Sequence, residues 1–178
     1  MAEDFAERHI ARWRDHWIDV EFDDEIELAT VRLSRLTKYQ KESVKNAAAA
    51  VGLAVFEYQT LHTLMIRDTP GIASPRELAE AADVSPAGMT GRLDSLEKAG
   101  LIKRTPSATD RRSVIIEATT AGVAIWRRAM RQRGEAEKHL MSALSAKELT
   151  TLNRLLRKLA VAADEPPPPP RSSPKILP

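Results

Sequence analysis

The chain contains no cysteine, which excludes structural disulfides, thiolate metal sites and thiol-based redox sensing. Aromatic residues are scarce, three Trp, two Tyr and three Phe among 178 positions. The core must therefore be built from Leu, Ile, Val, Ala and Met, which favours helices over a sheet-rich fold. No run is apolar enough to span a bilayer. Met1 to Arg14 mixes acidic and basic side chains where a signal peptide needs an apolar stretch, so a cytoplasmic location is expected. The glycines stand at 52, 71, 88, 91, 100, 122 and 134 and form no G-x-G-x-x-G phosphate cradle. Paired catalytic carboxylates, a nucleophile elbow and an H-E-x-x-H motif are also missing, so no enzymatic activity and no cofactor are expected. His9, His16, His62 and His139 lack metal-ligand spacing with Asp or Glu, and no metal is expected.

Net charge is only +2, but its distribution is uneven. Residues 1–30 hold ten acidic side chains against three basic ones. Residues 86–112 hold six basic ones (Arg92, Lys98, Lys103, Arg104, Arg111, Arg112) against Asp94, Glu97 and Asp110. Basic charge gathered in one short segment is an electrostatic footprint for nucleic acid.

Proline is absent before Pro70, and Gly52 is the one glycine in that stretch, so the first 69 residues read as long helices. An acidic amphipathic helix is predicted over about Phe5 to Ile18, a longer one over Asp24 to Ala50 ended by a left-handed Gly52, and a third over Val55 to Arg67. Pro70-Gly71 is a turn. Ser74-Pro75-Arg76-Glu77 combines an N-cap, Pro at the first helical position and Glu three residues past the cap, opening a short helix from Pro75 to Ala82. Ser85-Pro86 opens the next helix, which runs to Ala99 before Gly100 stops it.

Two short helices across so tight a turn form a helix-turn-helix. The second buries Met89, Leu93 and Leu96, leaving Ala87, Gly88, Thr90, Gly91, Arg92 and Ser95 for an outward face that can seat deeply in a major groove. Strands over Leu101 to Arg104 and Ser113 to Ala118 flank a turn-rich segment ending in Arg111-Arg112, a hairpin wing. Thr119-Thr120 caps a helix to about Met141, and Ser145 with Glu148 forms a capping box for a last helix to Ala163. Pro166 to Pro170 mark a tail, 164–178, that cannot pack and is expected to be disordered. The fold class is mainly α with a small β-hairpin wing, and the organisation is an acidic arm (1–23), a winged-helix body (24–163) and the tail. Within the body a DNA-binding lobe, about 54–118, lies between dimerisation helices, 24–50 and 120–163.

The runs Leu78-Ala-Glu-Ala-Ala-Asp-Val-Ser85, Leu96-Glu-Lys-Ala-Gly-Leu-Ile-Lys-Arg104, Asp110-Arg-Arg112 and Thr119-Thr-Ala-Gly122 resemble the MarR family of winged helix-turn-helix regulators. The resemblance covers about residues 24–163. It implies a homodimer formed by the terminal helices, a recognition helix in the major groove of a pseudo-palindromic operator, and a wing arginine in the minor groove. By position that arginine is Arg112, with Asp110 orienting it and Arg111 nearer the phosphates. Lys98, Lys103 and Arg104 are further phosphate candidates, and Ser85, Thr90, Arg92 and Ser95 are candidates for base edges. The resemblance also implies a small-molecule effector. Trp13, His16, Trp17, Tyr39, His62 and Met65 offer apolar bodies with polar handles, suited to a small aromatic acid. The N-terminal helix with Trp13 and Trp17 resembles the urate-responsive branch, but Gln59 and Gly91 stand where that branch has an acidic residue and an arginine, so urate is not expected. The alternative reading is a winged helix that serves as a protein-interaction module without specific DNA binding; two adjacent arginines at the wing tip argue against it.

Overall fold

The computed structural model describes residues 3–14, 23–106 and 113–165. Its elements run α1 (Phe5–Trp13), α2 (Asp24–Ala49), α3 (Val55–Met65), β1 (Ile72–Ala73), α4 (Pro75–Ala81), α5 (Pro86–Lys98), β2 (Ile102–Pro106), β3 (Val114–Ala118), α6 (Thr120–Met141) and α7 (Ala146–Ala163). This is a mainly helical winged-helix fold. Two compact units divide within α6, at Ala136 and Glu137.

Local chemistry sets most of these boundaries. Asp4, Ser74 and Ser145 each accept a bond from the backbone three residues on, and the glutamate at that third position reaches back to the cap, closing a capping box. Ser85 caps α5 by accepting from Gly88 N–H at 3.1 Å, with Pro86 in the first helical position, where its missing donor costs nothing. Gly52 and Gly100, at φ +76° and +70°, turn the chain after α2 and α5 as left-handed residues. Between α4 and α5 that conformation falls to Asp83, at φ +49°, a position open to a short polar side chain at modest cost.

The sheet differs from the two-strand wing expected. It has three antiparallel strands in the order β1-β3-β2. Ile72 pairs with Glu117 and Ala73 with Ile116, while Ile102 to Pro106 pair with Ala118 to Val114. Two residues are too few to show an alternation in sequence, so β1 has no pattern to read. β2 begins one residue later than expected and runs on to Pro106, an edge strand where a missing donor is tolerated. α1 is assigned only to Trp13, with Arg14 as its C-cap, and residues 15–18 of the segment expected to continue it lie outside the described residues. Residues 166–178, which hold the proline run, also lie outside them.

Leu61 and Leu64 of α3, Leu78 and Ala79 of α4, Met89, Leu93 and Leu96 of α5, and Ala73, Leu101, Ile102 and Ile116 in and beside the sheet form one buried core. A second cluster joins Ala48 of α2, Tyr58 of α3 and Ala129 of α6. α3 therefore carries one face for the winged helix and another for the long helices. In the unit from Glu137 onward, α7 buries none of its residues, and Leu155, Leu156, Leu159 and Val161 are exposed.

Candidate nucleic-acid interface

α5 turns Met89, Leu93 and Leu96 inward, and its outer surface is nearly free of bulk: Ala87, Gly88, Thr90 and Gly91 are all exposed. Gly88 has an internal reason to be glycine, because a Cβ there would lie 3.0 Å from Val84 Cγ1 and 3.2 Å from Ser85 Oγ. Gly91 has none, since no atom lies within 4 Å of where its Cβ would stand. A glycine inside a helix costs about 1 kcal/mol relative to alanine, and at Gly91 no internal contact offsets that cost. The hydroxyls keep hydrogen-bonding capacity. Ser85 Oγ accepts from Gly88 and retains its proton to donate, while Thr90 Oγ1 donates to the Pro86 carbonyl at 3.0 Å and keeps lone pairs to accept. Lys98 stands exposed in the last turn.

Two residues expected on the outer face turn aside. Ser95 is half-buried and donates its hydroxyl to Glu57 Oε1 of α3. The other oxygen of Glu57 accepts from Ala54 N–H at 2.8 Å, so this one carboxylate both caps α3 and ties it to α5. Arg92 is half-buried too, with its guanidinium carbon 6.0 Å from the centroid of the Phe56 ring. On the helical wheel both residues sit at the margin of the buried stripe, where sequence leaves the direction open.

At the base of the wing the cations are already engaged. Arg104 bonds to Asp94 at 2.6 Å and also to Glu97, both on α5, and its backbone N–H donates to Glu97 at 3.2 Å. The bond to Asp94, then the fields of Glu97 and Asp94, raise the Arg104 pKa against an opposing desolvation. Asp94 is 60% exposed, so solvent screening holds the clamp to about 1–3 kcal/mol in all. Lys103 pairs with Glu117 of β3 at 2.7 Å, and Thr105 donates to the same carboxylate at 2.7 Å. These two bonds, Lys103 first, lower the Glu117 pKa. Arg104 and Lys103 thus bind the wing to α5 and to itself. Asp94 and Glu97 lie three residues apart on one helix face, the one sequence signal for this clamp. Asp110, Arg111 and Arg112 lie outside the described residues.

The suggested effector residues do not gather around one groove among the described residues. Tyr39 donates to the Ala136 carbonyl at 3.2 Å and lines a groove of about 210 Å³ with Glu42, Ser43, Asn46, Ala47, Gln132 and Ala136. His62 faces elsewhere, stacked on Tyr58 at 5.6 Å and accepting at Nδ1 from the Trp126 indole N–H at 3.1 Å. Burial first, and then the charge of Arg133, lower the His62 pKa. Met65 packs against the winged-helix core. The side chain of Trp13 and the whole of His16 and Trp17 lie outside the described residues. Among the described residues no helix is long and apolar enough to cross a membrane, and no group of three metal-ligating side chains forms.

The MarR family model matches residues 52–113, from the turn after α2 to the residue before β3. The transcriptional regulator PecS of Dickeya dadantii is 31% identical over 150 residues, covering 84% of this chain and 89% of PecS. Among solved structures, a variant of Escherichia coli MarR complexed with operator DNA has a TM-score of 0.60 at 23% identity, covering 79% of this chain and 99% of that one. An organohalide-sensing transcriptional regulator, RdhR, in its 2,4-dichlorophenol-bound form, has a TM-score of 0.57 at 20% identity, covering 80% of this chain and 87% of that one. The signature runs around α4, α5 and the wing, read earlier as a resemblance, lie within this matched span or directly after it. The chain belongs to the MarR family and is a DNA-binding transcriptional regulator.

Proposed function

We propose that this protein acts as a homodimer on a pseudo-palindromic operator, with the outer face of α5 entering the major groove. The observation that carries the reading is Gly91: an exposed glycine inside a helix, with empty space around it and a stability cost that no internal contact repays. A helix face of Ala87, Gly88, Thr90 and Gly91 lets backbone approach base edges, and Ser85 and Thr90 supply a donor and acceptors there. Lys98 takes phosphate. Arg111 and Arg112 extend the contact, with Asp110 orienting Arg112. Arg104 and Lys103 position the wing and leave backbone contact to the cations beyond it.

Dimerisation is supported by α7 and by α2, each read in its own unit. α7 leaves Leu155, Leu156, Leu159 and Val161 exposed, and α2 leaves Ile26, Leu33 and Leu36 exposed. Apolar faces this extensive call for cover. A two-fold dimer would set its recognition helices about 34–36 Å apart, one turn of duplex. The lobe 54–118 reads DNA, while helices 24–50 and 120–163 join the copies. A small aromatic effector is the proposed ligand, in keeping with the dichlorophenol-bound neighbour, and the groove lined by Tyr39 is its candidate site, whereas His62 and Met65 pack elsewhere. The assignment is to cytoplasmic regulation without catalysis.

The test is a pair of variants at one position. Gly91→Ala should raise stability by about 0.5–1 kcal/mol in urea denaturation. Gly91→Gln should fold as well as wild type yet weaken operator binding at least about tenfold, since the groove then meets a side chain. Full operator affinity in Gly91→Gln would remove this face of α5 from the DNA.

A further inference from the structure

Two arginines flank the reading surface, and the structure holds them in opposite ways. Arg104 is clamped by two carboxylates of α5. Arg92 has no carboxylate three or four residues away along its helix, and its guanidinium lies over an aromatic ring of α3. That ring, Phe56, is 39% exposed beside the recognition helix. It belongs to neither the helix-turn-helix nor the wing. The next residue, Glu57, caps α3 with one oxygen and accepts the Ser95 hydroxyl with the other. The first turn of α3 is thereby pinned to α5 one helical turn beyond Arg92, which keeps ring and guanidinium in register.

We infer that Phe56 is a resting platform for Arg92, and hence a positioning residue for base recognition although it touches no DNA itself. The inference rests on the reading of α5 as the groove-facing helix. An unrestrained arginine must give up considerable rotamer freedom to present its planar fork to a base. A carboxylate could restrain it, but would then compete with the base and be left unpaired when the arginine turned away. An aromatic face restrains without that competition. The attraction between guanidinium and ring is weak at exposed sites, but stacking uses the face of the guanidinium and leaves its N–H donors for a base. Arg92 is therefore ordered before DNA arrives and keeps the ring contact while its N–H edge meets the base, which lowers the ordering cost of binding. Arg104, in contrast, is fixed for structure and unavailable for reading.

The experiment is a double-mutant cycle on DNA preference, with wild type, Phe56→Leu, Phe56→Tyr, Arg92→Ala and Phe56→Leu/Arg92→Ala assayed on operator and scrambled duplexes. Urea denaturation of each variant confirms folding. Arg92→Ala should lower the operator-to-scrambled ratio by about 5- to 150-fold, the range for losing one good base contact. Phe56→Leu should lower it by about two- to fivefold, the value of an exposed cation–π contact. Phe56→Tyr should keep the wild-type ratio. In the Arg92→Ala background Phe56→Leu should have no effect, because nothing is left to position. An equal loss from Phe56→Leu with and without Arg92 would show a packing role and overturn the platform. No change in Phe56→Leu beside a clear loss in Arg92→Ala would overturn the platform alone. An unchanged ratio in Arg92→Ala would instead take Arg92 away from the bases, and the platform would fall with that reading.

Discussion

Gly122 in the first turn of α6 sits directly against the chain that leaves α5. A methyl group placed on it would overlap the Leu101 carbonyl oxygen, far inside van der Waals contact, and lie 3.0 Å from the Leu101 carbonyl carbon. Both obstacles are backbone, so no rotamer change relieves the clash. The same junction holds three bonds: Thr119 N–H to the Leu101 carbonyl at 3.0 Å, Thr119 Oγ1 to the Gly100 carbonyl at 2.8 Å, and Gly122 N–H to Thr119 Oγ1 at 3.0 Å. Gly122→Ala must push α6 off the base of the wing and stretch that set. Overpacking costs about 1–3 kcal/mol, and loss of two of the bonds adds roughly 1–3 kcal/mol. The better helix propensity of alanine returns about 1 kcal/mol. The net expectation is a destabilisation of about 1–5 kcal/mol, read as a lower midpoint in urea denaturation at an unchanged slope. Gly134→Ala in the same helix is the control: no atom lies within 4 Å of its Cβ position, so it should gain about 0.5–1 kcal/mol. The opposite signs are the point of the comparison. Equal midpoints for the two variants would show that the close approach of α6 to Leu101 is not a constraint on the fold.

Two further expectations concern titration and assembly. Burial and Arg133 lower the His62 pKa, so the folded state favours the neutral ring that accepts from Trp126. That stability is present above the unfolded value near 6.5 and is lost as pH falls through the lowered folded value. Urea midpoints measured from pH 7.5 to 5 should fall more for wild type than for His62→Gln, and parallel curves would remove His62 as the cause. If α7 forms the proposed dimer seam, replacing Leu152 and Leu156 together by Asp should leave an unfolded or insoluble chain, because charge would enter that seam unpaired. A folded monomer in sedimentation, binding one half-site, would contradict the proposal of an obligatory dimer.

Much of the winged helix was legible because its signals are local. Ser74, Ser85 and Ser145 announce helix starts through bonds that span three residues, and Gly100 stops α5 through its own dihedral angles. The direction of a side chain at the edge of a buried stripe depends on the neighbouring element instead, which is why Ser95 reads as outward and the contact of Arg92 with Phe56 cannot be foreseen. The partner that claims Ser95, Glu57, lies 38 positions earlier. The clamp on Arg104 is hidden in the sequence for a similar reason. The arginine's charge is visible in the sequence, but the carboxylates that consume it are recognisable only once β2 is laid beside α5. Tyr39 and His62 are both polar aromatic residues near the helical junction, yet they face different surroundings, a distinction that periodicity does not carry.

The clamp at the wing base bears on how this regulator responds to ionic strength. DNA binding draws much of its free energy from counterions released as protein cations replace them along the phosphates, by about 0.9 ion per phosphate neutralised. A cation already paired with a carboxylate has little to exchange. Counting formal charges between positions 86 and 112 would credit Lys103 and Arg104 with two such contacts per protomer, but both are spent on Glu117, Asp94 and Glu97. The thermodynamic footprint is therefore smaller than the sequence charge suggests. If α5 is the groove-facing helix, binding should weaken less steeply as salt accumulates, leaving a larger share of operator affinity to the uncharged face of α5.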